Sequence, residues 1–163
     1  MNRKKGISAV VATVLIILIT VAAVTIIWAA IIPMIKNQIS GGTACLDAVS
    51  QVSIVSEGYT CVDSTGTGTV KVQISRGAKD FDLEEIQVLI SVGGDTYSMK
   101  EEASDLGANE EMLITLNASD FDDVSDISGA TKVEIAPVVT VGNTQETCDI
   151  SASAELTECS DAS

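Results

Sequence analysis

An uncharged run of 29 residues, Ile7 to Ile35, limits most strongly what this chain can become. It is rich in Val, Ile, Leu and Ala, and it exceeds the ~20 apolar residues that cross a bilayer as a helix. Helical throughout, it would extend ~44 Å at about 1.5 Å per residue. Such a run fits a soluble core helix poorly. It also fits an ordinary cleaved secretory signal poorly, because the apolar region of those signals runs about 7–15 residues and ends in a small-residue site. Here Ala29 and Ala30 are small, but Ile31, Ile32 and Pro33 follow them.

The flanks give an orientation. Arg3, Lys4 and Lys5 precede the run and only Lys36 follows it, so the N-terminus is expected to stay in the cytoplasm and the rest of the chain to lie outside. Charge divides the same way. Residues 1–36 carry +4, whereas the remainder holds 5 basic against 23 acidic residues, a net −18. That acidic surface argues against nucleic acid, whose phosphates need clustered Lys or Arg. The chain has no histidine, which removes imidazole acid–base chemistry and His-ligated metal sites. No Gly-x-Ser-x-Gly elbow, P-loop or Gly-x-Gly-x-x-Gly fingerprint occurs. Neither catalytic residues nor a metal or cofactor are expected, and the chain does not read as an enzyme.

The beginning of the run carries a more specific signal. Arg3-Lys4-Lys5-Gly6-Ile7-Ser8-Ala9-Val10-Val11 resembles the class III signal of type IV prepilins. Over Lys4-Lys5-Gly6-Ile7-Ser8-Ala9-Val10-Val11-Ala12-Thr13-Val14-Leu15-Ile16-Ile17-Leu18-Ile19 the likeness narrows to the archaeal type IV pilins and archaellin-like proteins. Bacterial pilins usually begin the mature chain with Phe or Met and carry Glu at its fifth residue; those places hold Ile7 and Val11 here. The match covers roughly the first 35 residues, about a fifth of the chain.

By that resemblance a prepilin peptidase cuts between Gly6 and Ile7 and leaves the apolar helix on the mature subunit. Helices of identical or related subunits then leave the membrane and pack as the core of a surface filament, driven by an assembly ATPase on a membrane platform. Ser8 with Ala12, Ala9 with Thr13, and Ala22 with Ala29 and Ala30 supply small side chains for close helix approach. Trp28 is placed at the outer membrane interface before assembly. Pro33 is expected to kink or end the helix. Ser40-Gly41-Gly42-Thr43 reads as a flexible stop. The organisation expected is thus a signal over 1–6, a helix over 7–39, a hinge over 40–44 and an extracellular domain over 45–163.

From residue 45 the apolar period changes to that of strands. Val70, Val72 and Ile74 alternate with Lys71, Gln73 and Ser75, and further runs lie at Val52 to Ile54, Ile86 to Val92, Met112 to Leu116, Lys132 to Val141 and, more weakly, through Ile150. Turn signals fall at Asp63 to Gly68, Gly93-Gly94-Asp95 and Gly142-Asn143. Six to eight strands without a long helix predict an Ig-like β-sandwich, so the fold class is α+β: a hydrophobic N-terminal helix and an all-β head.

Cys45, Cys61, Cys148 and Cys159 suit a disulfide framework in an exported domain and allow three pairings. If Glu57-Gly58 makes a hairpin turn, local pairs are possible; if Gly58 is only a bulge within one strand, Cys45 and Cys61 stand far apart and each pairs with one of the other two. Asn117-Ala118-Ser119 is an N-glycosylation triplet. Asp120, Asp122, Asp123 and Asp126 form an acidic cluster without the glycine and terminal Glu of an EF-hand, and it reads as a solvated loop rather than a calcium site. Glu84-Glu85, Glu101-Glu102 and Glu110-Glu111 read likewise as solvated charge.

Two functions from different classes compete. One is a structural subunit of an archaeal type IV pilus-like filament on the cell surface, serving adhesion or attachment, with pilin preferred to archaellin. The other is a monomeric, membrane-anchored extracellular binding module. The Gly6-Ile7 junction favours the first, since a plain anchor has no need of it.

Overall fold

The computed structural model describes residues 9–56 and 59–159. The chain divides into two compact units, one up to Ile39 and one from Ser40. It is α+β, with a long apolar helical region followed by antiparallel sheets.

The first unit is helical. Helix α1 (Ala9–Ile26) gives way to a π-helical turn (Ile27–Ile31), after which helix α2 (Ile32–Gln51) begins. Val, Ile and Thr are mediocre helix formers in water, but in hydrocarbon the backbone must satisfy its own hydrogen bonds, and a helix does so regardless of propensity. The threonines follow the same rule. Thr13, Thr20 and Thr25 donate their hydroxyls to the carbonyls of Val10, Ile17 and Ala22, at 2.9, 2.9 and 2.8 Å.

Pro33, expected to kink or end the helix, does not end it. It gives no amide to the Ala29 carbonyl and its ring crowds that carbonyl. The turn immediately before is widened to the π form, a known way of absorbing such an interruption, and α2 then runs on to Gln51.

The expected hinge at 40–44 is also corrected: those residues lie inside α2. Two glycines cost a helix ~1 kcal/mol each, but contacts further along outweigh them. Ala48 is fully buried against Val139 and Cys148, Cys45 is disulfide-bonded to Cys148, and Lys79 Nζ lies 2.5 Å from Asp47. The last residue of α2 is stitched down as well, the Gln51 carbonyl accepting from Gly77 N at 2.8 Å and its side-chain oxygen from Lys79 N at 3.2 Å. Residues Ser40–Gln51 therefore belong with the second unit.

That unit contains two sheets. The first comprises β1 (Val52–Ile54), β2 (Cys61–Asp63), β3 (Thr69–Arg76) and β6 (Glu111–Asn117); the second comprises β4 (Leu83–Val92), β5 (Asp95–Glu102), β7 (Ala130–Val141), β8 (Thr144–Thr147) and β9 (Ala152–Glu155). All strand pairings are antiparallel, apart from one isolated parallel bridge between Val62 and Glu158. The sheets share a plan. In each, a central strand gives one edge to a long partner and the other edge to two short strands lying end to end: β6 against β1 and β2 on β3, and β4 against β8 and β9 on β7.

Alternation fills the space between the sheets. Val70, Val72 and Ile74 of β3, Ile114 and Leu116 of β6, Ile86, Val88 and Ile90 of β4, and Val133 and Ile135 of β7 are all buried in one cluster. The predicted turns occur where Gly permits positive φ, at Gly93-Gly94 between β4 and β5 and at Gly142 between β7 and β8. Gly68, at φ 80°, closes the β2–β3 turn where any Cβ would strike the backbone of Ser128. Three strands had no clear sequence signal, namely β2, β5 and β8. The weak run through Ile150 is not a strand; the last one forms just beyond it as β9.

Candidate functional site

Four groups of residues were expected to carry function. The processing residues Lys4, Lys5, Gly6 and Ile7, with Ser8 of the packing set, lie outside the described residues.

The helix-packing residues lie on α1 and the π turn, where no residue is buried. Ala12 is half-exposed, while Ala9, Thr13, Ala22, Trp28 and Ala29 are exposed. They do not form one stripe. At ~100° per residue, Ala22 lies about 220° around the helix from Ala9, so the small residues open at least two faces to neighbours. Thr13 has turned its hydroxyl back to Val10 O and offers mainly its methyl group. Large apolar side chains surround these positions on all sides, Trp28 being 67% exposed. This is the described helix long and apolar enough to cross a membrane.

The cysteines form two interleaved bridges, Cys45–Cys148 and Cys61–Cys159, with Cα atoms 5.2 and 4.9 Å apart. The pairing follows from the strand course that sequence left open. β1 and β2 lie on the same edge of β3 in the same direction, so they are not the two arms of a hairpin; Glu57 and Gly58, on which the sequence alternatives turned, lie outside the described residues. Thr60 repairs the gap. Its buried hydroxyl donates to Val55 O at 2.6 Å and accepts from Gln73 N at 3.1 Å, standing in for a missing peptide group. Cys61 is carried to the end of the sheet where the C-terminal segment arrives. There Val62 N bonds to Thr157 O and Cys159 N bonds to Val62 O, at 2.9 and 2.8 Å. Cys148 follows β8 and is fixed by its amide on Pro137 O at 2.9 Å. The bridges thus close the sheets at one place and clamp α2 at another, as is usual of domains in oxidising compartments.

Asn117 ends β6 and is exposed. It caps a 3₁₀ turn (Ala118–Asp120) reciprocally: its side chain accepts from Asp120 N, and its own amide donates to Asp120 Oδ2 at 2.7 Å. Thr69 Oγ1 also reaches its Oδ1, at 3.4 Å. Both contacts fall on the side-chain oxygen of this exposed residue.

The acidic cluster is put to local use. Asp120 holds the Asn117 amide, and Asp126 accepts from Ser128 N at 2.8 Å. The hydroxyl and amide of Ser128 keep the Asp126 carboxyl below its ordinary value. Asp63 is lowered in the same way by the hydroxyl and amide of Thr65. Among the described residues no group of three or more Cys, Asp or Glu is arranged to hold a metal ion. Not every paired glutamate is plainly solvated: Glu84 accepts from Thr140 Oγ1 at 3.0 Å, and half-buried Glu85 lies 3.1 Å from Lys100 Nζ. A register shift between Leu83 and Glu85 in the β4–β7 pairing marks the position of Glu84.

One residue central to the head escaped sequence reading. Arg76 is 7% exposed and donates from Nη1 to Leu106 O and from Nη2 to Phe81 O, both at 2.6 Å, with its guanidinium carbon 4.3 Å from the Phe81 ring centre. It gathers two loops into the end of the core. The signal was present in the alternation, since Arg76 continues the inward row Val70, Val72, Ile74.

Comparison with family models, with curated proteins and with solved structures gives no match for this chain.

Proposed function

We propose that the chain is a structural subunit of an archaeal type IV pilus-like surface filament, made as a prepilin, cut between Gly6 and Ile7, and polymerised through its apolar helix for adhesion or surface attachment. The observation that carries this is the absence of any buried residue in α1 and the π turn. An apolar side chain moved out of water gains ~1.5–3 kcal/mol, so a helix uncovered on all sides calls for lipid first and for other helices once it leaves the membrane. Small residues on opposite faces suit a central helix with several neighbours better than a two-helix contact. The head, two antiparallel sheets around one core, is read as an Ig-like sandwich outside the cell.

Partners in this proposal are identical or related subunits, the prepilin peptidase, and the assembly ATPase with its platform. The role is structural, not enzymatic, with no cofactor or nucleic acid. The rival is a monomeric anchored binding module, for which lipid alone would cover the helix. The resemblance at Lys4-Lys5-Gly6-Ile7 favours the filament.

Mass spectrometry of the native N-terminus, on material sheared from the cell surface, separates the two. A mature chain starting at Ile7, with filaments visible in the same fraction, is the expected result. A chain keeping Met1 or Asn2, found in the membrane fraction alone, would sink the proposal.

A further inference from the structure

Residues 40–51 combine a helical conformation with a local sequence that opposes it. Gly41 and Gly42 each disfavour a helix interior, and the segment is only as long as the ~12–15 residues at which an isolated helix is marginal. Its hold on the strands is also thin. The side chains it lays against Val139 and Cys148 are those of Ala44, Cys45, Ala48 and Val49, two of them alanines and one the bridged cysteine itself. The Lys79–Asp47 pair is half-exposed, a setting in which ion pairs contribute little. At the far end, hydrogen bonds from Gly77 N and Lys79 N to Gln51 fix the last residue alone. Such a conflict between local preference and tertiary contact marks an element with two accessible states, and the covalent bond is the strongest of the contacts that choose between them.

The second bridge does not act on this segment. Cys61–Cys159 joins β2 to a stretch that is hydrogen-bonded there as well, through Thr157 O and Cys159 N on Val62 and through the Glu158 carboxylate on Ser64. One bridge reinforces a contact that other bonds already make, whereas the other decides the state of the segment that carries it.

We infer that Cys45–Cys148 is a redox lock on residues 40–51: with the disulfide formed the segment is helical, and with two thiols it comes off β7 and becomes a flexible tether. Closing needs a disulfide oxidant, and an exported thiol–disulfide oxidoreductase is the class that supplies one. A thiolate of the pair attacks the oxidant's disulfide to give a mixed disulfide; the other thiolate then displaces the oxidant, which leaves as a dithiol with the two electrons and, in net, the two thiol protons. A dithiol reverses the step by attacking Cys45, the less buried of the pair, and displacing Cys148 as a thiolate. Position gives the lock its use. Cys148 stands 103 residues beyond Cys45 and directly follows β8, so the bridge closes in its native setting only once β7 and β8 are in place. The segment is therefore a tether while the strands assemble and a helix when they are complete. The inference holds whether the chain is a filament subunit or an anchored module.

The test follows hydrogen exchange in the detergent-solubilised full chain carrying Cys61→Ser/Cys159→Ser, so that Cys45–Cys148 is the bridge being titrated, before dithiothreitol, after it, and after reoxidation. Amides 43–50 are expected to exchange roughly tenfold or more faster on reduction and to recover on reoxidation, with β3 and β7 slower than the segment throughout. Equal exchange of 43–50 in the reduced and oxidised chains overturns the inference. So does opening of β3 and β7 at the same rate as the segment, since the bridge would then staple the whole fold. Should that variant not fold, the wild-type chain under the same titration gives the readout, with Cys45→Ser/Cys148→Ser as the reference whose 43–50 amides no longer respond to dithiothreitol. A further variant examines the helix itself. Gly42 is exposed with open space at its Cβ position, and Gly42→Ala is expected to slow exchange of 43–50 in the reduced chain about fivefold. No slowing overturns the inference, because the tether would then not be in equilibrium with the helix.

Discussion

Cys45 of α2 is covalently joined to Cys148, the residue after β8, so the C-terminal part of an otherwise apolar helix is built into the β unit. The bridge spans 103 residues of sequence and sits beside the buried Ala48. A loop of ~100 residues corresponds to about 4.7 kcal/mol in the chain-entropy model, with measured values for native bridges of typically 2–5 kcal/mol. The double variant Cys45→Ser/Cys148→Ser is expected to lose stability in that range. Hydrogen exchange on the detergent-solubilised full chain should show residues 40–51 opening before the strands β3 and β7. Protection over 40–51 unchanged from wild type would mean that Ala48 and the Lys79–Asp47 pair suffice to hold the helix.

Arg76 makes a second, local prediction. Its two donors satisfy the carbonyls of Leu106 and Phe81, and truncation leaves both without partners in a site closed to water. Arg76→Ala is expected to cost ~3 kcal/mol, read as a shifted urea midpoint at constant slope. Arg76→Lys should recover little, because a single ammonium does not reproduce the fork that spans two carbonyls and lies on the Phe81 ring. Full recovery by Lys would show that charge alone, not planar geometry, ties these loops.

The parts of this fold that sequence makes legible are those set by local periodicity. The apolar run, the alternation of β3, and the glycines at 93–94 and 142 each specify their structure within a few residues. Where non-local contacts decide, local signals mislead. Gly41-Gly42 reads as a breaker, yet Cys45, Asp47 and Ala48 gain partners 32 to 103 residues away that keep the segment helical. β5 lacks Val and Ile and forms because the Gly93-Gly94 turn returns it along β4, with Tyr97 and Met99 packing on the core. The disulfide pattern depended on whether β1 and β2 run the same way along β3, which their pairing with that distant strand decides and no local signal announces. Among the described residues, the small side chains spaced along α1 are not buried by any such partner.

Acid should act through two surface carboxylates. Thr65 and Ser128 hold the Asp63 and Asp126 carboxyls below their ordinary value of 3.8, so the folded chain binds these protons less readily than the unfolded one. The stability they contribute is therefore complete above that value and fades as pH falls through the lower folded ones. The variant Asp63→Asn/Asp126→Asn is expected to lose less stability than wild type between pH 4 and pH 2, the two curves differing by a constant above about pH 5. Parallel curves throughout the acid range would show that the Thr65 and Ser128 contacts do not persist in solution.

Asn117 gives a prediction in which geometry and sequence meet. The triplet Asn117-Ala118-Ser119 sits where β6 ends, and the reciprocal cap with Asp120 engages the oxygen of the exposed asparagine, not its side-chain nitrogen. A glycan attached there would leave the cap's hydrogen bonds in place, so modification should cost the fold little. Native protein is expected to carry a glycan mass on the peptide containing Asn117, removed in both Asn117→Gln and Ser119→Ala. The two variants should differ in stability, however. Asn117→Gln lengthens the capping side chain and weakens a contact of ~1 kcal/mol, whereas Ser119→Ala touches an exposed hydroxyl outside the cap. Equal mass loss with unequal melting is thus the expected pattern. An unmodified Asn117 in the native protein would leave the residue with its capping role alone.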